Sequence, residues 1–255
     1  MASRFLEFYD ETLGFEPTEL GIITLPELWP DLASPEAALS EVEKCVSEIL
    51  KKNLFPVILG GEHTITYAAV KAFLKSFRNL SVVILDAHAD LRDSYQGTRF
   101  NHACVGRRIL EEDIPVTIMG VRSIPSEDLP LLLHPPTNSS PSEGGGEVGV
   151  KVIWAEKLKK EKDWLSLVSP TLTECVYLSI DLDFYDPSEV PAVGTPEPGG
   201  FGWTETNLFL RKLSQRKRIV GFDIVELNGF QHHAPSAYFA SRLALRLIGL
   251  ALKHV

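Results

Sequence analysis

The sequence predicts an α/β protein: a three-layer α/β/α arrangement around a central, mostly parallel sheet. Two observations point there. Apolar runs of strand length alternate with segments of helical periodicity, and that alternation builds a parallel sheet covered on both faces. Three of the apolar runs also end in acidic or imidazole side chains, and open parallel sheets bind ligands at the C-terminal ends of their strands.

The elements follow in order. Residues 35–52 open on the start signal Ser34-Pro35-Glu36, and Ala38, Leu39, Val42, Val46, Ile49 and Leu50 keep helical spacing. A strand is expected at 56–60, a helix near 64–77 and a strand at 81–86. Residues 104–112 read as a helix, 115–120 as a strand and 126–133 as a helical turn or two. A strand at 151–154 precedes a helix at 157–168. Strand 175–181, a helix from about 204 to 215, strand 219–224 and a last helix at 236–254 complete the pattern. Residues 134–149 are rich in Pro, Ser and Gly and read as a mobile surface loop. The stretch 186–203 holds four prolines and four glycines; its place after Asp181 and Asp183 favours an ordered loop walling a site over a plain linker. The 255 residues suffice for one large domain or two small ones. Ligand-type residues scattered along the chain must converge, which favours a single domain, 1–255.

A formal net charge of −9 argues against nucleic acid or an anionic membrane as the main partner and is compatible with a cationic ligand. Cys45, Cys104 and Cys175 are widely spaced and form no CxxC pair, as expected of reduced thiols in a cytoplasmic protein. The N-terminus has no apolar signal core, and no apolar run is long enough to span a bilayer.

The chemistry is carried by three blocks. Asp86-Ala87-His88-Ala89-Asp90 follows an apolar run; in an extended segment its Asp, His and Asp would share one face. Asp181-Leu182-Asp183 ends a second run, and Gly60-Gly61-Glu62-His63 ends a third. Each block alone has a plain structural explanation, such as a capping aspartate or a core histidine. Together they predict a divalent-metal site built from carboxylate and imidazole, a donor set that suits a borderline divalent cation better than a thiol site would.

The joint pattern resembles the ureohydrolase superfamily of arginases, agmatinases and formiminoglutamases. Its blocks stand here as Gly60-Gly61-Glu62-His63, as Asp86 to Asp90, as Ser179-Ile180-Asp181-Leu182-Asp183-Phe184-Tyr185-Asp186-Pro187, and as Gly194-Thr195-Pro196-Glu197-Pro198-Gly199-Gly200. The resemblance covers roughly residues 35–253 and implies an arginase-like fold. It implies two manganese ions: one held by His63, Asp86, Asp90 and Asp181, the other by Asp86, His88, Asp181 and Asp183, with Asp86 and Asp181 bridging. Glu226, in the family's Asp-x-x-Glu block, would pair with a cationic guanidinium. His102 stands where the family has a proton-shuttling histidine, although Ala103 replaces the usual glycine after it. His232 and His233 lie close to Glu226 in sequence and belong to no motif.

The loop from Leu91 to Phe100 lacks the Asn- and Ser-bearing pattern with which arginases hold an amino-acid head group. Asp90-Leu91-Arg92-Asp93-Ser94-Tyr95, followed by His102 and Arg107-Arg108, looks like agmatinases, as does Glu62. The resemblance therefore implies a small guanidino substrate, agmatine before arginine, guanidinobutyrate or formiminoglutamate, and a homo-oligomer, trimer or hexamer. Two other outcomes share the pattern: a single-zinc relative of the deacetylases and a non-catalytic binding protein. The paired Asp86 and Asp90 with His63 argue against the first, and six intact ligands argue against the second. The family usually carries a longer, Gly-rich and Arg-bearing leader, and this chain reaches Gly60 early.

Overall fold

The computed structural model describes residues 6–31, 33–133, 149–229 and 234–253. Six strands form one sheet: β1 (Val57–Leu59), β2 (Leu80–Leu85), β3 (Pro115–Val121), β4 (Gly149–Trp154), β5 (Cys175–Asp181) and β6 (Arg218–Val225). The strand order is β1-β6-β5-β2-β3-β4. Every adjacent pair is parallel, so the sheet is wholly rather than mostly parallel. All six C-terminal ends thus share one edge.

Eight helices accompany these strands among the described residues: α1 (Pro35–Lys51), α2 (Ile65–Leu74), α3 (Val105–Leu110), α4 (Leu129–Leu133), α5 (Ala155–Lys160), α6 (Trp164–Val168), α7 (Trp203–Arg216) and α8 (Ala234–Leu252). None is long and apolar enough to cross a membrane. The strand alternation sorts them into two layers. Val82 and Ile84 of β2 pack with Val46 of α1, Phe73 of α2 and Ile109 of α3. Val83 and Leu85 face the other way and join Val168 of α6, Leu210 and Leu213 of α7, and Leu243 and Leu247 of α8. Every residue of β2 is buried, and burying each Val, Leu or Ile contributes about 1.5–3 kcal/mol. The apolar runs are therefore continuous because both faces are covered.

Local signals account for several boundaries. Ser34 Oγ accepts from the amide of Ala37 and caps α1. Gly202 N donates to Glu205 Oε1 (2.7 Å) at the start of α7. The helix expected at 157–168 is instead two, α5 and α6. Glu161 adopts an extended conformation, and the Trp164 indole donates to the Leu158 carbonyl (3.0 Å). Burying that ring against Phe201 and Phe209 overrides continuous helical periodicity. Of the loop expected at 134–149, only Gly149 is among the described residues, and it opens β4.

Gly106, in α3, brings that helix directly onto the turn after β2. A Cβ there would stand 2.7 Å from the Ala89 carbonyl oxygen and 3.2 Å from that of Asp90, and Arg107 N donates to Asp90 O (3.1 Å). Two of the three nearest atoms are backbone, the third being Ile118 Cδ1 at 3.0 Å. Gly106→Ala should therefore destabilise the protein by about 1–3 kcal/mol in urea unfolding; an unchanged midpoint would mean that the turn yields without strain.

Candidate active site

Four neighbouring strands in the sheet, β1, β6, β5 and β2, deliver the sequence-predicted residues to one edge. Between β5 and β2 the order of strand addition reverses, the position at which open α/β sheets place their ligands. His63 follows β1, Glu226 follows β6, Asp181 ends β5 and Asp86 follows β2.

The local geometry departs from simple strand alternation. β2 stops at Leu85, but Asp86 N still donates to the Met119 carbonyl (3.1 Å) and His88 bridges Ser123 in parallel. Asp90 has a φ of +51°, in the left-handed region that few non-glycine residues enter. Asp183 likewise lies outside its strand, in the 3₁₀ turn Leu182–Phe184, where Asp181 Oδ1 accepts from its amide (2.8 Å). The departures are confined to Asp90 and to the turn that carries Asp183.

They do converge. His63 Nδ1 lies 3.2 Å from Asp86 Oδ2, 3.2 Å from Asp90 Oδ2 and 3.3 Å from Asp181 Oδ2. His88 Nδ1 lies 2.9 Å from Asp183 Oδ2 and 3.5 Å from Asp86 Oδ1. Asp86 thus turns one oxygen to each histidine and belongs to both candidate metal clusters, His63–Asp86–Asp90 and Asp86–His88–Asp183. Asp181 presents only Oδ2 to His63, its other oxygen being held by the Asp183 amide.

This donor set fits divalent cations. His63 Nδ1 and Asp86 Oδ2 are buried and have no hydrogen-bond partner, although buried polar atoms are nearly always paired. Electrostatics point the same way. Burial, with the charge of Asp86, pushes the Asp90 carboxyl up to about 7. Burial, with Asp183 and Asp86, pushes Asp181 well above the usual carboxylate range. Asp86 is held below that range because His63 and His88 outweigh the effect of burial. His88 is driven up to about 11 by Asp183 and Asp86 against the opposing effect of burial. The cluster draws in positive charge, which a cation supplies without protonating any ligand.

Glu226 begins just past β6 with φ +63°. Its amide donates to the Gly61 carbonyl (3.1 Å), and its Oε1 accepts from the His63 amide (2.7 Å). Burial raises its carboxyl above the ordinary range. Its Oε2 faces Gly194, 3.8 Å from where a Cβ would stand. His102 opens the 3₁₀ turn His102–Cys104, capped by Asn101. Its Nδ1 lies 3.0 Å from Glu62 Oε1, which also accepts from the His102 amide. Glu62 raises the His102 pKa by that hydrogen bond, against partial burial. His232 and His233 lie outside the described residues.

The Pro- and Gly-rich stretch forms one wall. Thr195 Oγ1 donates to Asp183 Oδ2 (3.1 Å), and the amides of Gly199 and Gly200 both donate to Asp186 Oδ2 (3.1 Å). Arg122 pins it: its guanidinium donates to the carbonyls of Asp183 (2.7 Å), Glu197 (2.9 Å) and Pro198 (3.2 Å). No motif signalled Arg122. Ser179 and Asp223 stood inside recognised blocks, but their part in holding His63 depends on contacts between different strands.

A profile of the arginase family matches residues 1–249. The N(1)-aminopropylagmatine ureohydrolase of Synechocystis sp. is 36% identical, over 97% of this chain and 79% of that protein. The agmatinase of Pyrococcus horikoshii is 35% identical, over 99% of this chain and 81% of that protein. The solved structure of the agmatine ureohydrolase of Thermoplasma volcanium superposes with a TM-score of 0.83 at 31% identity, covering all of this chain and 83% of that one. Shared sequence and shared sheet together place the chain in the arginase family, among its agmatinase-like hydrolases.

Proposed function

We propose that this protein hydrolyses the guanidino carbon of an agmatine-type amine, releasing urea and, from agmatine itself, putrescine. The observation that carries the reading is the pair of clusters sharing Asp86, set beside Glu226 at one sheet edge. His63, Asp86, Asp90 and Asp181 would hold one divalent cation, and Asp86, His88, Asp181 and Asp183 the other, two Mn²⁺ per chain. When bound, such a pair supplies Lewis acidity that makes water a competent nucleophile near neutral pH.

The chain's own residues supply the rest. Glu226 receives the guanidinium. Its Oε1 is anchored by the His63 amide, which leaves Oε2 for the substrate. A cation docking there favours the ionised carboxylate that burial alone opposes. His102 holds the proton destined for the leaving amine. Its Nδ1 is engaged by Glu62, which leaves Nε2 as the nitrogen that moves a proton. The carboxylates of Glu62 and Glu226 make the mouth attractive to an alkylammonium and unattractive to an α-carboxylate. N(1)-aminopropylagmatine is a second reading, favoured by the relative at 36% identity, whose name carries that substrate.

With added manganese, agmatine and N(1)-aminopropylagmatine should release urea, while arginine releases less than about one hundredth as much. A metal-loaded protein inert toward all guanidino compounds would exclude hydrolysis. Asp181→Asn should abolish activity and lose bound metal. Glu226→Gln should keep its metal while kcat/KM falls by about 10²–10³-fold; equal metal loss in both variants would assign Glu226 to the cage. Removing the Glu62 charge should lower the His102 pKa toward an ordinary imidazole. Side-chain NMR of Glu62→Gln reads this directly, and an unmoved titration would refute the pairing.

A further inference from the structure

Asp223 lies in β6 with no exposed surface. Its Oδ1 accepts from Ser179 Oγ (2.6 Å), and its Oδ2 accepts from Tyr177 OH (2.6 Å) and Thr66 Oγ1 (2.9 Å). Each of these hydroxyls has a single proton. Ser179 Oγ also lies 3.1 Å from His63 Nε2. With its proton on Asp223, Ser179 can offer the ring only lone pairs. Thr66 Oγ1 stands 3.1 Å from Ser179 Oγ as well, and neither direction of that contact places the Ser179 proton on His63. Nε2 must therefore keep its own proton and donate. In a neutral imidazole the other nitrogen is then bare. That nitrogen is Nδ1, the buried atom without a partner among Asp86, Asp90 and Asp181.

We propose that Asp223, acting through Ser179, is a positioning residue that fixes the Nε2–H tautomer of His63 and so leaves Nδ1 free for a divalent cation. The inference rests on the two-cation reading above. A buried carboxylate behind a ligating histidine serves orientation and ligand basicity alike. Here the carboxylate works at one remove, through a hydroxyl. Exchanging it for an amide reverses the proton order. The carbonyl oxygen of an asparagine would take the Tyr177 and Thr66 protons, and its NH₂ would donate to Ser179. The Ser179 proton would then turn to Nε2 and force the proton onto Nδ1.

The test measures manganese(II) binding to the metal-free full-length protein by electron paramagnetic resonance of the free ion. Wild type, Asp223→Asn, Ser179→Ala, the double variant and Tyr177→Phe are compared, each with a thermal melt. Asp223→Asn should weaken one of the two bound equivalents by about 10–100-fold. Ser179→Ala removes the relay without imposing the wrong tautomer and should lose less. The double variant should bind as Ser179→Ala does, because the misdirected donor is gone. Tyr177→Phe deletes a hydrogen bond of the same length to the same carboxylate. It should lower the melting temperature and leave affinity within about twofold, as expected if only the Ser179 branch reaches the metal. Affinity losses that multiply in the double variant, or a Tyr177→Phe loss equal to that of Ser179→Ala, would reduce Asp223 to a packing role. If Asp223→Asn does not fold, the contrast between Ser179→Ala and Tyr177→Phe still decides. Wild-type protein that binds no manganese overturns the two-cation reading itself.

Discussion

The site depends on the register of the parallel ladder that joins β2, β5 and β6. Leu85 pairs with Ile180, and Asp181 pairs with Val225. The residues that follow Leu85, Ile180 and Val225, namely Asp86, Asp181 and Glu226, therefore emerge together at one edge. A slip of one residue would turn Asp181 toward the other helical layer and carry the inward-facing apolar residues with it. The hydrophobic core and the polar cage are thus enforced by the same hydrogen bonds. The helices on both faces hold the register because every side chain of β2 except Ser81 packs in one of the two apolar layers.

Carrying so much charge to the end of a dry sheet sets a second requirement. Unpaired buried carboxylates are strongly destabilising, and this edge holds several. The structure distributes them by role. Asp223 is satisfied entirely by hydroxyls from β5 and α2. Asp186, which is only partly buried, is satisfied by loop amides and Ser188. Asp86, Asp90, Asp181 and Asp183 are left facing two imidazoles. Arg122 is the counterweight on the open side, where it spends its donors on backbone carbonyls rather than on carboxylates. It thereby fixes the loop, while its charge acts on Asp183 and Asp86 without a hydrogen bond to either carboxylate.

Much of this could be read from the residues. Helix α1 announced itself through Ser34-Pro35, and the ligand blocks marked the ends of the correct strands. The failures have physical causes. The expected helix at 157–168 is broken because Trp164 gains more from the core below it than from continuing a helix. The extended course expected from Asp86 to Asp90 ends at Asp90, whose φ is +51°, where α3 docks through Gly106 on the backbone at Ala89 and Asp90.

What the sequence determined by itself was the set of donors and the strands that carry them, because hydrophobic period and residue type are local properties. Tertiary structure decided how the donors are anchored and backed. Asp86 offers an oxygen to each histidine, Glu226 is anchored by the His63 amide, and Asp223 reaches His63 through Ser179. Apart from the contact of Asp86 with His88, two residues along, those relations join segments of different strands, with separations of 163 residues for Glu226 and His63 and 116 for Ser179 and His63. Contacts of that range exist only after the ladder has closed, so no local pattern could encode them.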